Sequence, residues 1–177
     1  MPLGVTFRSM SAASTLVAGK KIASQSLGVA AASISFTGID TTYKMFRVTA
    51  YLVKDGSNGR CQVRLNNDSG ANYTRQNLTG DNAGVTAARS AQTNFEVTLS
   101  SINNGTPASL SFVVAKQLAG SPAMLIASAV MTNTAPVLVT NYTGGIWANT
   151  TDLISRIDLV ASAGNFSAGT VAVLEAC

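Results

Sequence analysis

Apolar residues fall at every second position in several short stretches of the chain, and a period of two predicts β-strands with one buried and one wet face. The clearest stretch is 46–53, where Phe46, Val48, Ala50 and Leu52 share a side. The turn-forming run Asp55-Gly56-Ser57-Asn58-Gly59 follows, and then 60–66 sets Cys61, Val63 and Leu65 inward against Arg60, Gln62, Arg64 and Asn66 outward. These two stretches are expected to pair as a hairpin. The same alternation predicts strands at 33–38 with Ile34 and Phe36 inward, at 94–100 with Phe95, Val97 and Leu99 inward, and at 109–116 with Leu110, Phe112 and Val114 inward. Weaker patterns lie at 21–26, 73–78, 85–89, 124–132 and 137–143, and two final runs flank the Ser/Gly/Asn linker 161–169.

Turn residues every 8 to 12 positions, with one apolar face per strand, predict antiparallel sheets packed on each other. The expected fold is all-β: an antiparallel β-sandwich, jelly-roll-like, over 20–177. Residues 1–19 show no sustained alternation and are expected to form an N-terminal arm, extended or partly helical, that holds a neighbouring subunit.

The 177 residues can bury a sizeable core without disulfides. Apolar residues make up 46%, a globular share, but charged ones only 11%, against about 25% in a typical domain. Ser, Thr, Asn and Gln must therefore cover the surface, and so few charges suit a protein that works inside an assembly. A monomer solvated by hydroxyls and amides fits the same composition. The net charge of +4 comes from scattered bases, with Lys20-Lys21 the one adjacent pair. Nucleic acid is not an expected partner, since such surfaces carry a dense basic stripe or stacking aromatics. No run of 18 apolar residues predicts a membrane span, and Ser9, Ser11, Ser14 and Thr15 dilute the segment after Arg8 below a signal-peptide core. Synthesis in a cytoplasm is expected.

The chain has no histidine. That removes the Ser-His-Asp and Cys-His arrangements, His-ligated zinc and the usual base near neutral pH. Asp55 and Asp81 sit in Gly/Asn-rich turns, and Glu96 and Asp158 fall on polar strand faces. All four read as turn and surface carboxylates rather than as a hydrolytic pair. No enzyme and no cofactor are expected. Asn66-Asn67-Asp68-Ser69-Gly70 has the oxygen spacing of a calcium loop but lacks its distal Glu, and reads as a tight turn. Cys61 alternates with core positions, and Cys61 and Cys177 make neither a disulfide framework nor a four-ligand zinc site.

Two surface candidates remain. Arg60, Arg64 and Arg75 with Tyr73 form a candidate patch for an acidic partner or for phosphates, with solvated strand faces as the competing reading. Trp147, beside Gly144-Gly145 and Tyr142, is a weaker candidate for stacking on a sugar, with packing of the lone Trp as the competing reading.

Several segments resemble one group of proteins. They are 154–160, Gly164-Asn165-Phe166 and Ala168-Gly169 before 170–175, the opening runs 22–28 and 32–39, Thr42-Tyr43-Lys44, and Arg64-Leu65-Asn66-Asn67-Asp68-Ser69-Gly70-Ala71-Asn72-Tyr73. Together they resemble the opening strands, the Arg-x-Asn-x-Asp-x-Gly-x-Asn-Tyr segment and the closing hairpin of small β-rich structural proteins of tailed-phage virions. The chain departs from that group at Leu174-Glu175-Ala176, where its members end Leu-Tyr-Gly, and 80–151 matches nothing in it. The resemblance implies a virion protein without enzymatic activity. The first role it implies is a capsid decoration, or cement, protein bound to the major capsid protein and to copies of itself, as a homo-oligomer such as a trimer. The second is a tail or fibre component that binds a host-surface glycan. A nonviral carbohydrate-binding domain is a more distant third.

Overall fold

The computed structural model describes residues 19–81, 83–116, 120–132 and 138–177. The strands are β1 (Lys20–Ser26), β2 (Ser33–Thr37), β3 (Met45–Asp55), β4 (Cys61–Leu65), β5 (Tyr73–Asp81), β6 (Gly84–Gln92) and β7 (Phe95–Glu96). They continue as β8 (Pro107–Ala115), β9 (Ala123–Thr132), β10 (Leu138–Trp147), β11 (Arg156–Ala161), β12 (Asn165–Phe166) and β13 (Val171–Ala176). No helix occurs among the described residues. The large sheet runs β1-β13-β3-β8-β9-β10-β5-β6, with β12 attached to β3, and the small sheet runs β2-β11-β4-β7. Every strand pairing is antiparallel. The chain is thus an all-β protein of antiparallel sheets packed face to face. The expected arm lies outside the described residues except for Gly19, as does Val137 at the start of the expected 137–143 strand.

Alternation placed the core correctly. Phe46, Val48, Ala50 and Leu52 of β3 are buried, as are Cys61, Val63 and Leu65 of β4, and they meet Ile34, Phe36, Leu110, Phe112 and Val114 in one apolar cluster. Burying such side chains stabilises by roughly 1.5–3 kcal/mol each.

The partners of those strands differ from expectation. β3 and β4 do not form a hairpin: β3 pairs with β13 and β8, while β4 pairs with β11 and β7 in the other sheet. The turn 55–59 instead carries the chain across the core. The final runs behave likewise, because β11 belongs to the small sheet and β13 to the large one, so no closing hairpin exists. A period of two fixes which face of a strand is buried, but a short turn between two such strands is compatible with either a hairpin or a crossing between layers.

The two crossings nest against each other. Gly164, at φ 58°, lies so close that a Cβ there would sit 2.6 Å from the Asp55 carbonyl oxygen and 2.7 Å from the Ser57 nitrogen. Lys54, buried at the end of β3, donates from Nζ to the Ala163 carbonyl and lies 5.4 Å from the Phe166 ring centroid. Burial lowers its pKa, with Cys61 and Asp55 opposing. The 94–100 stretch also departs from a regular strand. Only Phe95–Glu96 pairs, because the Thr98 hydroxyl accepts the Cys61 N–H at 2.8 Å and pulls Thr98 inward, leaving Leu99 half-buried.

Candidate functional site

The arginines expected to form an open basic patch are mostly occupied. Glu96 leaves β7 on the polar side of the small sheet, opposite Gln62. Arg75 reaches it from the inner side of β5 and places Nη2 2.7 Å from Oε2, while Arg60 Nη1 lies 3.0 Å from the same oxygen. Gln62 Nε2 adds a longer bond of 3.4 Å to Oε1. Two cations from different sheets therefore share one carboxylate and pin the edges of the sandwich together. The Arg75 side chain is only 10% exposed against 41% for Arg60, and burial lowers its pKa despite Glu96. Arg64 stands opposite Asp158 in the register, but Asp158 is bonded by Arg156, whose Nε lies 2.8 Å from Oδ1. Arg64 is half-buried, and its Nε has no hydrogen-bond partner in the described structure.

Glu96 and Asp158 are accordingly not surface carboxylates. They are 6% and 2% exposed, since the arginines beside them close over their heads. Alternation assigned them to the polar side correctly but carried no information about what covers that side.

Tyr73 and Trp147 open β5 and close β10 opposite each other, and both are fully buried. The Tyr73 hydroxyl accepts the Leu65 N–H at 2.9 Å, and burial pushes its pKa up to about 12. Trp147 Nε1 donates to Asp68 Oδ2 at 2.6 Å, and Lys116 Nζ lies 4.9 Å from its ring centroid. Neither aromatic is available to a partner: Tyr73 offers no surface to a protein, and Trp147 offers no face to a sugar. The polar tip of each ring bonds the turn after β4, and the ring body fills the core. Of the candidate glycan contacts only Tyr142, 63% exposed, faces solvent.

The same turn explains the calcium-like spelling. Asn66 and Asn67 take φ 53° and 58°, and Asp68 N–H bonds the Leu65 carbonyl at 2.9 Å, the tight turn expected. The Asp68 carboxylate receives Gly70 N and Asn72 Nδ2, each at 2.8 Å, besides Trp147. Burial works to raise its pKa, but these three bonds outweigh it and hold the value below the ordinary range. The described residues contain no group of three metal-ligating side chains.

What alternation missed is the outer face of the large sheet. Every large apolar side chain that stands exposed among the described residues lies on this face, apart from Val29. Register aligns them in rows: Met45, Ala115, Met124 and Ile146 in one, Val113, Ile126 and Gly144 in the next, then Tyr142 with Leu78, then Tyr51 with Val130. Ile126 is 64% and Met124 59% exposed. Gly144 meets nothing within 4 Å and leaves a groove of about 570 Å³ lined by Val113, Met124, Ile126 and Ile146. The signal was present in the sequence of β9, where Met124, Ile126 and Val130 alternate with the buried Leu125, Ala127 and Ala129, so that both faces carry apolar residues.

No protein-family model matches the chain, and no curated protein matches it.

Proposed function

We propose that the chain is a non-enzymatic structural protein of a tailed-phage particle, a decoration or cement protein that binds the major capsid shell beside copies of itself. A homo-oligomer such as a trimer, and a jelly-roll-like wiring of the sandwich, belong to this reading. The observation that carries it is the unpartnered outer face of the large sheet. From β3 to β6 that face crosses six strands, about 24 Å, and from Met124 to Val130 it runs about 20 Å along a strand. Its exposed apolar side chains stand in rows on either side of Thr49, Ser111 and Ser128, and so many large apolar groups on one face suit a surface meant to be covered. Charge is confined to its margins, with Lys21, Arg47 and Glu175 at one side and Arg89 at the other. Such a face adheres by shape and desolvation, which fits static assembly better than turnover.

The alternative, a glycan-binding tail component, rests on Tyr142 alone now that Trp147 is seen to be buried. Mass-spectrometric stoichiometry of purified particles separates the two readings. Hundreds of copies are expected for decoration, whereas single or low double digits would move the protein to the tail. Val130→Lys with Tyr142→Lys should leave the fold intact and abolish rebinding to particles stripped of the protein; undiminished rebinding would remove the face from the interface.

A further inference from the structure

The chain leaves the large sheet at a definite place on this outer face. Gly19 precedes β1 and sits where a Cβ would lie 3.3 Å from Arg47 Nη2 and 3.3 Å from Glu175 Cβ, both on the outer side of β3 and β13. Arg47 opens the row that continues through Val113 and Ile126 to Gly144, the floor of the 570 Å³ groove. The groove begins three strands beyond β1, at β8, and ends five strands beyond it, at β10, about 15 to 24 Å from Gly19. The segment before Gly19 carries Leu3, Val5 and Phe7 at alternate positions, with no charge among residues 2–7. Residues 8–18 alone, if extended, span up to about 36 Å, more than the distance needed.

We propose that Leu3, Val5 and Phe7 of this chain dock into the groove formed by Val113, Met124, Ile126 and Ile146 of the same chain. Chemistry and reach agree. An uncharged apolar run meets an apolar floor, the charge of Arg75 beside it is already held by Glu96, Arg89 stands at the far rim, and Gly144 supplies the depth. Tethering favours the chain's own segment over a free one, because a short linker holds it at an effective concentration in the millimolar range. The rows beyond Gly144, from Tyr142 to Val130, stay open, so the proposal does not depend on attachment to a particle.

Disulfide trapping in the full-length chain tests it, in a Cys177→Ser background. Phe7→Cys combined with Ile126→Cys should oxidise to a monomeric cross-linked species, at a rate independent of protein concentration. That rate should exceed by about tenfold or more the rate for Phe7→Cys with Thr37→Cys, a site exposed on the outer side of the small sheet. Met124→Cys serves as a second groove position should Ile126→Cys fold poorly. Covalent dimers in place of the monomeric species would overturn the proposal and give the groove to a second copy. Equal rates at Thr37 and Ile126, or no trapping at either groove position, would overturn it as well and leave the groove to another partner.

Discussion

Gly145 on β10 and Phe95 on β7 meet across the two sheets so closely that a Cβ on Gly145 would lie 2.8 Å from Cε2 of the ring. The Thr74 carbonyl oxygen crowds the same point from β5, so the ring cannot resolve the clash by turning away. Phe95 is fully buried there, one residue from the carboxylate that joins Arg60 and Arg75. The only two-glycine step in a strand thus does two different jobs on its two faces.

Gly145→Ala is therefore expected to cost about 1–3 kcal/mol by overpacking, while Gly144→Ala, with open space around it, changes stability by about 0.5 kcal/mol or less. Urea unfolding of the two variants provides the comparison. Equal midpoints would show that Phe95 does not require the gap.

Removing one partner of the buried pair should hurt more than removing the exposed one. Glu96→Gln leaves Arg75, 10% exposed, without its counter-charge and is expected to cost about 3–5 kcal/mol. Arg60→Ala, at 41% exposure, should cost about 1 kcal/mol or less. Thermal melts at neutral pH measure both. A reversal of that order would mean that the clamp is held from the Arg60 side.

Asp68 ties stability to acidity. Its folded pKa lies below the unfolded value of about 3.9, so its contribution is complete above that value and fades as pH falls through the lower folded one. Asp68→Asn places an amide NH₂ against a donor and should cost about 1–3 kcal/mol at pH 7, with the gap to the parent protein narrowing in acid. Trp147 is the sole tryptophan, and its indole N–H bonds this carboxylate, so its emission reports the change directly. A stability difference that stays constant from pH 7 to pH 2 would rule out the linkage.

The two thiols should differ in reactivity. Cys61 is fully buried and its pKa is pushed up to about 12 by desolvation, whereas Cys177 is exposed. A thiol reagent at pH 8 should modify one cysteine per folded chain and two in denaturant. Rapid modification of both in the native state would show that the small sheet opens readily.

The sequence predicted strand positions and inward faces well, because alternation is a local property and each strand has one dry side. Leu65 and Phe112 were legible from two or three neighbours apiece. Pairing was not, because whether Asp55-Gly56-Ser57-Asn58-Gly59 returns beside β3 or crosses to β4 in the other sheet depends on Gly164 and Lys54, and Gly164 lies about a hundred residues away. The site residues followed the same division. Arg60 and Arg75 were found as charges, but the carboxylate that occupies both belongs to β7 and to no local pattern. Trp147 packs as the reading of a lone core tryptophan expects, whereas Tyr73 was expected in the partner-binding patch and is hidden from solvent by the turn that receives its hydroxyl.

β13 lies between β1 and β3, with Lys20 opposite Ala176 and Arg47 opposite Glu175. β1 therefore has no partner until residues 171–176 have been made, and β3 is open along one side until the same moment. A growing chain must carry two unsatisfied backbone ladders while the residues between β3 and β13 are added. Closure of the large sheet is set by loop-closure entropy over some 150 residues, on the millisecond-to-second scale of proteins dominated by distant pairings. Expression that slows the release of residues 171–176 would lengthen the interval in which those ladders can recruit another chain.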